Sequence, residues 1–287
     1  MSGEVESNIL AGGVAVITGS AGGIGAGIAR AAAARGMKLV LADIAVEKLN
    51  QFASELTAAG HQVLAVPTDV TDPLALDQLA AVTREKFGDV RLLVNNAGIE
   101  TIGNAWELTA AQWERVMRIN VLGPIHGVRA FAGAMVAAGA PAFISNVASL
   151  GGLAMMPEQT PYIMSKHAVL SFSECLSLEM ELAAPQIRVS AVLPGPVATR
   201  IFTDAQVGAG SPSYIQHRET MDGMMAAHGM KPDEAGILIL DQIAEGRFWV
   251  SPHPEMMADS ARQRAAYLAA LERPAMRPEA LGIMGRG

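Results

Sequence analysis

Val14-Ala15-Val16-Ile17-Thr18-Gly19-Ser20-Ala21-Gly22-Gly23-Ile24-Gly25 is the stretch that decides the fold. Its first four residues are a short apolar, β-branched run bounded by glycines, the pattern of a buried strand. The run leads straight into glycine, and then into the Ala-rich segment Ile28 to Arg35, which has high helix propensity and a stop at Gly36. Strand, glycine turn and helix in immediate succession make a cradle for a dinucleotide. Small residues let backbone N–H groups approach a pyrophosphate, and the following helix N-terminus supplies partial positive charge. Gly19, Gly23, Ile24 and Gly25 are the binding candidates in this turn.

Working outward, a second strand, Lys38-Leu39-Val40-Leu41-Ala42, ends in Asp43 at the distance from the glycine turn expected of a ribose-binding carboxylate. A carboxylate there accepts hydrogen bonds from ribose hydroxyls and repels a 2′-phosphate, which favours NAD over NADP. Gly22 and Ile44, two places where a basic residue could receive that phosphate, carry no charge. Capping of the following helix is the other role open to Asp43. A third strand, Gln62 to Pro67, leads to Thr68-Asp69-Val70, and a fourth, Val90 to Val94, leads to Asn95-Asn96-Ala97-Gly98. Each ends in small or polar residues, as expected where a doubly wound sheet presents ligand contacts at its carboxyl edge.

Tyr162 and Lys166 stand four residues apart in Tyr162-Ile163-Met164-Ser165-Lys166, and Ser149 precedes the tyrosine by thirteen residues. On a helix, positions i and i+4 lie about 6 Å apart along the axis, so ammonium and phenol share a face. A fixed cation favours phenolate and brings a group with an ordinary pKa near 10 toward use as a base at pH 7 to 9. A hydroxyl such as Ser149 holds a carbonyl or alcohol oxygen beside the phenol. These three residues constitute an oxygen-handling acid/base site.

Together these motifs resemble the short-chain dehydrogenase/reductase family. Thr18 to Gly25 is similar to its Thr-Gly-x-x-x-Gly-x-Gly segment, and Asn95 to Gly98 to its Asn-Asn-Ala-Gly. Asn120, in Arg118-Ile119-Asn120-Val121, stands where the family has its catalytic asparagine. Pro194 to Thr199 is similar to the Pro-Gly segment beside the nicotinamide. The resemblance implies one Rossmann-type α/β domain over residues 1–287, with a doubly wound parallel sheet of about seven strands. Residues 8–200 form its cofactor-binding and catalytic core, 201–232 a small helical lid over the substrate, and 251–287 a C-terminal extension. It implies a catalytic tetrad of Asn120, Ser149, Tyr162 and Lys166. Lys166 is then expected to bind the nicotinamide ribose and lower the pKa of Tyr162, Ser149 to position the substrate oxygen, and Asn120 to hold a water. Asp69, Val70, Asn96, Val197 and Thr199 join Tyr162 and Lys166 among the cofactor contacts. The implied activity is hydride transfer between NAD and a secondary alcohol or ketone. A cis-dihydrodiol or steroid dehydrogenase, or a dinucleotide-binding sensor without turnover, is the alternative. The implied assembly is a homo-oligomer, tetramer or dimer. Three residues between Tyr162 and Lys166, rather than the six of enoyl reductases in the superfamily, disfavour C=C reduction.

Composition is consistent with this reading. The 287 residues are 51% hydrophobic with a net charge of −7, which offers no basic footprint for nucleic acid. The acidic start Ser2-Gly3-Glu4-Val5-Glu6 has no cationic n-region, and the long run free of charged and polar side chains, Ala130 to Ile144, is too short to span a bilayer. A cytoplasmic enzyme without a membrane partner is expected. Six scattered histidines and one cysteine give no metal-ligand spacing and no intramolecular disulfide; Cys175 reads as a helix-packing residue. His167, next to Lys166, points about 100° away from it, toward a surface or interface.

Substrate contacts are expected from the variable parts. The lid segment Ile201 to Met230 has no strand patterning and carries Phe202, Met221 and Met225; Leu150, Met155 and Met156 face it from the loop before Tyr162. Methionines adapt to irregular apolar shapes, so the set fits a bulky hydrophobic ligand, an uncharged alcohol or ketone. Glu158 lies in the same loop, where residues face substrate. In the tail, Ile237 to Ala244 reads as helix, Phe248-Trp249-Val250 as the last strand, and Glu255 to Leu271 as a further helix followed by a loose end broken by Pro274 and Pro278.

Overall fold

The structure, a computed structural model, describes residues 9–276 together with 281, 282 and 284. The acidic start at residues 2–6 and Pro278 lie outside the described residues. In chain order the fold opens with strand β1 (Val14–Thr18), helix α1 (Gly23–Ala34), β2 (Lys38–Asp43), α2 (Val46–Ala58), β3 (Val63–Pro67), α3 (Pro73–Phe87) and β4 (Val90–Asn95). It continues with the two-residue β5 (Thr101–Ile102), α4 (Ala110–Met117), a π-helical turn (Arg118–Leu122), α5 (Gly123–Ala138), β6 (Ala142–Val147), the long α6 (Thr160–Ala183) and β7 (Ile187–Val192). The last part holds β8 (Gln206–Val207), α7 (Ser213–His228), α8 (Pro232–Ala244), β9 (Trp249–Val250) and α9 (Pro254–Ala270).

Seven strands form one parallel sheet in the order β3-β2-β1-β4-β6-β7-β9. Alternation along each strand divides the apolar residues between two faces. Ala15 and Ile17, Leu39 and Leu41, and Leu92 and Val94 pack with α1, α2 and α8 on one side. Val14 and Val16, Val40 and Ala42, and Leu93 pack with α3, α5 and α6 on the other. Burial on both faces is why β1 is written as an unbroken apolar run. Each large aliphatic side chain so buried contributes about 1.5–3 kcal/mol.

β1 lies between β2 and β4, so the strand order reverses beside it, and the crevice at the carboxyl ends of β1 and β4 is where an open α/β sheet binds ligands. The helical run at 110–138 is long and apolar enough to cross a membrane by length and composition alone. Here Val128, Phe131, Ala132 and Met135 turn its second half into the core.

Two expectations need correction. The lid segment contains a strand: Gln206 and Val207 pair in parallel with Thr101 and Ile102 in a separate two-stranded sheet. A strand of two residues is too short to show alternation in the sequence. Cys175, read as a packing residue, is exposed on α6.

Helices α1 and α8 meet backbone to backbone. A Cβ on Gly27 would lie 1.9 Å from the Pro232 carbonyl oxygen, and one on Gly236 would lie 2.2 Å from the Gly27 carbonyl carbon. Gly27→Ala is therefore expected to lower stability by about 2 kcal/mol, because overpacking outweighs the helix-propensity gain. In thermal unfolding this is a loss of about 4–8 °C. Gly133→Ala, on α5 with nothing within 4 Å of its Cβ position, serves as control and should be neutral or stabilising. Equal melting temperatures for the two variants would refute the close crossing.

Candidate active site

The turn after β1 is held open from one side. Gly19 and Gly23 have φ of 63° and 54°, the left-handed region that favours glycine. The Asn96 carboxamide donates to the carbonyls of Thr18 and Gly19, both at 2.9 Å, while the Thr18 hydroxyl accepts from the Asn96 N–H at 3.0 Å. Gly22 precedes α1 in extended conformation with no side chain capping the helix, so the first-turn N–H groups have no side-chain acceptor. Such a helix end suits a pyrophosphate. Thr199 is brought to this turn: its Cγ2 lies 3.2 Å from where Gly23 would carry a Cβ.

Asp43, at the end of β2, accepts from the Ala21 N–H through one oxygen and from the Ala45 N–H through the other, both at 2.9 Å. Each oxygen keeps a second lone pair free for a ribose hydroxyl. Beside the turn lies a cavity of about 530 Å³. Its cations Arg30, Lys48 and Lys231 are matched by Glu55, Asp233 and Glu234, which leaves no surplus positive charge for an additional phosphate. Val70 is buried near Gly123, and the neighbouring Asp69 is exposed, its carboxylate accepting from the Thr71 N–H. Val197 is buried and bridges Met230 at the base of the lid.

The four tetrad candidates gather at the same sheet edge. The π-helical turn carries Asn120, whose carboxamide is clamped on Ile99: Oδ1 accepts from its N–H and Nδ2 donates to its carbonyl, both at 2.9 Å. Asn120 Nδ2 also reaches Ser165 Oγ at 3.0 Å, and the Ser165 hydroxyl donates to the Tyr162 carbonyl at 2.6 Å. A π turn of this kind often marks a functional site. Ser149 follows β6 and accepts from the Gly151 N–H at 3.0 Å; Gly151 also abuts the Tyr162 ring, which a Cβ there would approach to 3.3 Å. Lys166 is buried, donates from Nζ to the Val147 carbonyl at 2.9 Å, and lies 5.5 Å from the Tyr162 ring centroid.

Sequence reasoning passed over one residue of this site. Glu100, immediately beyond Asn-Asn-Ala-Gly-Ile, is 1% exposed; Oε1 accepts from the Thr101 N–H at 2.8 Å and Oε2 has no hydrogen-bond partner among the described residues. Burial pushes its carboxyl well above the ordinary range, against the Thr101 hydrogen bond and the Lys166 charge. Burial likewise pushes the Lys166 ammonium down to about 8, opposed by Glu100. For Tyr162, burial first and Glu100 second raise the phenol pKa, and contact with Ser149 lowers it. This direction is opposite to the lowering expected from the lysine, because burial and a nearby acid outweigh a cation turned toward Val147.

The substrate candidates divide by position. Leu150 starts a short 3₁₀ turn beside Ser149, and Met155 and Met156 follow it, partly exposed. Phe202 is buried with Ile102 and Tyr214 inside the lid, with little surface left for a ligand, and Met221 and Met225 pack against that cluster. Glu158 faces His217 rather than the substrate space, and His167 hydrogen-bonds the Ala154 carbonyl at 3.0 Å. No group of three or more histidine, cysteine or carboxylate side chains stands ready for a metal among the described residues.

The model of the short chain dehydrogenase family matches residues 13–208, the whole span that carries this site. The chain belongs to the short-chain dehydrogenase family. This dehydrogenase is 32% identical over 252 residues to the CLA biosynthesis dehydrogenase/reductase of Lactiplantibacillus plantarum, covering 84% of this chain and 88% of that protein. A short-chain dehydrogenase/reductase from Burkholderia phymatum, solved in complex with NAD, shares 34% identity at a TM-score of 0.88 over 93% of this chain and 98% of its own. A metagenomic short-chain oxidoreductase in complex with NADP shares 28% identity at a TM-score of 0.67, over 85% and 96%. The site is thus that of an oxidoreductase in a family whose members bind either nicotinamide cofactor.

The Glu100 shift carries a definite sign. Its folded-state pKa is raised above the ordinary 4.5, so its stabilising contribution is complete below that pH and is lost as pH rises toward the folded value. Glu100→Gln, which keeps the shape and stays neutral, should match the wild type in stability near pH 4 and exceed it increasingly above about pH 5. The gain is about 1.4 kcal/mol for each pH unit between the two pKa values. Melting curves from pH 4 to 8 read this directly; a pH-independent difference would contradict a buried neutral carboxyl.

Proposed function

We propose that this chain is an NAD-dependent dehydrogenase that interconverts a hydrophobic secondary alcohol and its ketone, with Tyr162 as general acid/base. The observation that carries the reading is the convergence of Asn120, Ser149, Tyr162 and Lys166 on one sheet edge beside the glycine turn. In ketone reduction Ser149 holds the carbonyl oxygen and the Tyr162 phenol, kept protonated by its surroundings, gives it a proton. In alcohol oxidation Tyr162 takes that proton back, aided by the positive charge of Lys166 on the same helix. When bound, NAD would accept the hydride in oxidation and its reduced form would give it in reduction; Gly19, Gly23, Ile24, Gly25, Asn96, Val197 and Thr199 would hold it, with Asp43 at its ribose and Asp69 and Val70 near its adenine.

NAD is favoured over NADP because the Asp43 carboxylate would face a 2′-phosphate with like charge, and because Gly22 and the exposed Ile44 provide nothing to offset it. A hydrophobic substrate is favoured by Leu150, Met155 and Met156 on one side of the site and by Met221 and Met225 on the lid. The same reading makes residues 1–287 one catalytic unit that assembles as a homo-oligomer. The exposed Leu178 and Leu182 on α6 are apolar surface available to such an assembly.

Nicotinamide absorbance tests this directly, with NAD and NADP each offered against a panel of hydrophobic secondary alcohols, diols, steroids and matching ketones. Turnover with NAD is expected, and Tyr162→Phe should lower kcat by about 10²–10⁴-fold while still binding NAD. Full activity in that variant would remove Tyr162 from the chemistry, and NAD binding without turnover of any substrate would favour a dinucleotide sensor. Asp43→Ser should weaken NAD binding by roughly tenfold, the loss of about 1.4 kcal/mol, and narrow the gap to NADP. An unchanged preference would assign Asp43 to helix capping alone.

A further inference from the structure

Glu158, Gln159 and His217 form a buried polar cluster remote from the cofactor turn, with relative exposures of 2%, 5% and 0%. His217 Nδ1 lies 2.9 Å from Glu158 Oε2, and His217 Nε2 lies 3.1 Å from the Gln159 side-chain nitrogen. An amide nitrogen has only hydrogens to give, so Nε2 accepts and Nδ1 carries the proton that it donates to the carboxylate. One tautomer satisfies both contacts. Gln159 is the residue that precedes α6; its carbonyl accepts from the Ile163 N–H at 2.9 Å, and its side chain goes to His217 rather than to the helix end. Tyr162 comes three residues later.

Two further features show that the cluster is held tightly. Glu158 has φ of 63°, a left-handed conformation that a non-glycine residue keeps only where its surroundings enforce it. The Glu158 carbonyl also accepts from the Gly103 N–H at 2.7 Å, which fastens the loop to the end of β5. From the lid, α7 buries only Tyr214 and His217, three residues apart on one face. Tyr214 hydrogen-bonds Glu107, and His217 takes the Glu158 and Gln159 contacts. The first half of α7 is pinned at both points, whereas the second half presents Met221 and Met225 partly buried and Met224 exposed.

We propose that Glu158, Gln159 and His217 are positioning residues that couple the seating of the lid helix to the orientation of Tyr162. The coupling follows from burial. A buried hydrogen bond is costly to break without replacement by water, so lifting α7 at His217 would give up the contacts to Glu158 and Gln159 in the interior. Any movement there is passed along a short peptide to the start of α6, where Tyr162 sits. Lid adaptation to substrate is then confined to the Met221 to Met225 half, and the tyrosine is aligned only when the pinned half is home. The proposal rests on the reading of Tyr162 as the acid/base group.

Steady-state kinetics on the full chain tests it, with NAD and a substrate found active in the panel above. Two variants are compared with wild type and Tyr162→Phe: Gln159→Met, which removes one hydrogen bond at similar volume, and His217→Ala, assayed with and without added imidazole. Both should bind NAD within about twofold of wild type while kcat falls, up to about a hundredfold for His217→Ala, the scale of a small misplacement of a reacting group. Imidazole should restore a large part of kcat. Should His217→Ala fail to fold, the fall in kcat of Gln159→Met decides. Wild-type kcat in folded variants, or imidazole raising the melting temperature with no change in kcat, would reduce the cluster to a structural contact and overturn the proposal. Full activity of Tyr162→Phe would instead overturn the reading of the tyrosine, a separate outcome.

Discussion

Everything at the sheet edge depends on a close approach of backbone to backbone between the β1 turn and the start of α1. A Cβ on Gly25 would lie 2.3 Å from the Gly19 carbonyl oxygen and 2.6 Å from the Asn96 amide nitrogen. With no side chain in that gap, the Asn96 carboxamide can hold the Thr18 and Gly19 carbonyls, which turns the following N–H groups outward. The same demand recurs two residues along α1, where Gly27 lets α8 lie against the helix backbone. A single constraint therefore sets the uncapped N-terminal end of α1 and the packing of the helix layer above it.

A second theme is the concentration of buried polar groups around Tyr162. Asn95 donates to Asn146, which donates to Ser173; Asn120 joins Ile99 to Ser165, and Ser165 joins Tyr162. Such chains have few satisfactory arrangements, and they fix α6 more narrowly than apolar packing does. Glu100 Oε2, like Asn95 Oδ1, Thr101 Oγ1 and Ser145 Oγ, has no hydrogen-bond partner among the described residues, and this carboxyl stands next to the perturbed Tyr162 and Lys166. Unsatisfied buried groups are costly to maintain, and they concentrate where chemistry is done.

Much of this was legible in the sequence, for identifiable reasons. The glycine turn, Asp43 and the Tyr162 to Lys166 spacing are local patterns, and β1 to β4 are apolar runs punctuated by turn residues, so period and spacing suffice to read them. The structure brought the tetrad candidates together as their motifs implied. Less visible were features made by distance along the chain. His217 is 59 residues from Glu158, and the pairing of β5 with β8 joins two dipeptides that carry no pattern of their own. The direction of the Tyr162 pKa was misjudged because spacing reports a nearby ammonium but not what the ammonium is turned toward, nor how deep the phenol lies. Glu100 stands five residues past the end of β4, and the acids at or beyond the ends of β2 and β3, Asp43 and Asp69, are not buried, so position alone gave no sign of its burial.

The wide turn at Arg118–Leu122 has a consequence for how this chain tolerates change in length. A regular helix advances about 100° per residue, so the π turn sets the angular phase between the face of α4 that buries Val116 and the face of α5 that buries Val128, Phe131 and Met135. Deleting one residue between 118 and 122 would restore regular winding and leave the two faces nearly in phase, because the wide turn takes up about one residue. It would also carry Asn120 away from Ile99. The extra residue is thus held in place by what Asn120 grips, and a change of length here would cost the clamp on Ile99 rather than the packing of the two faces.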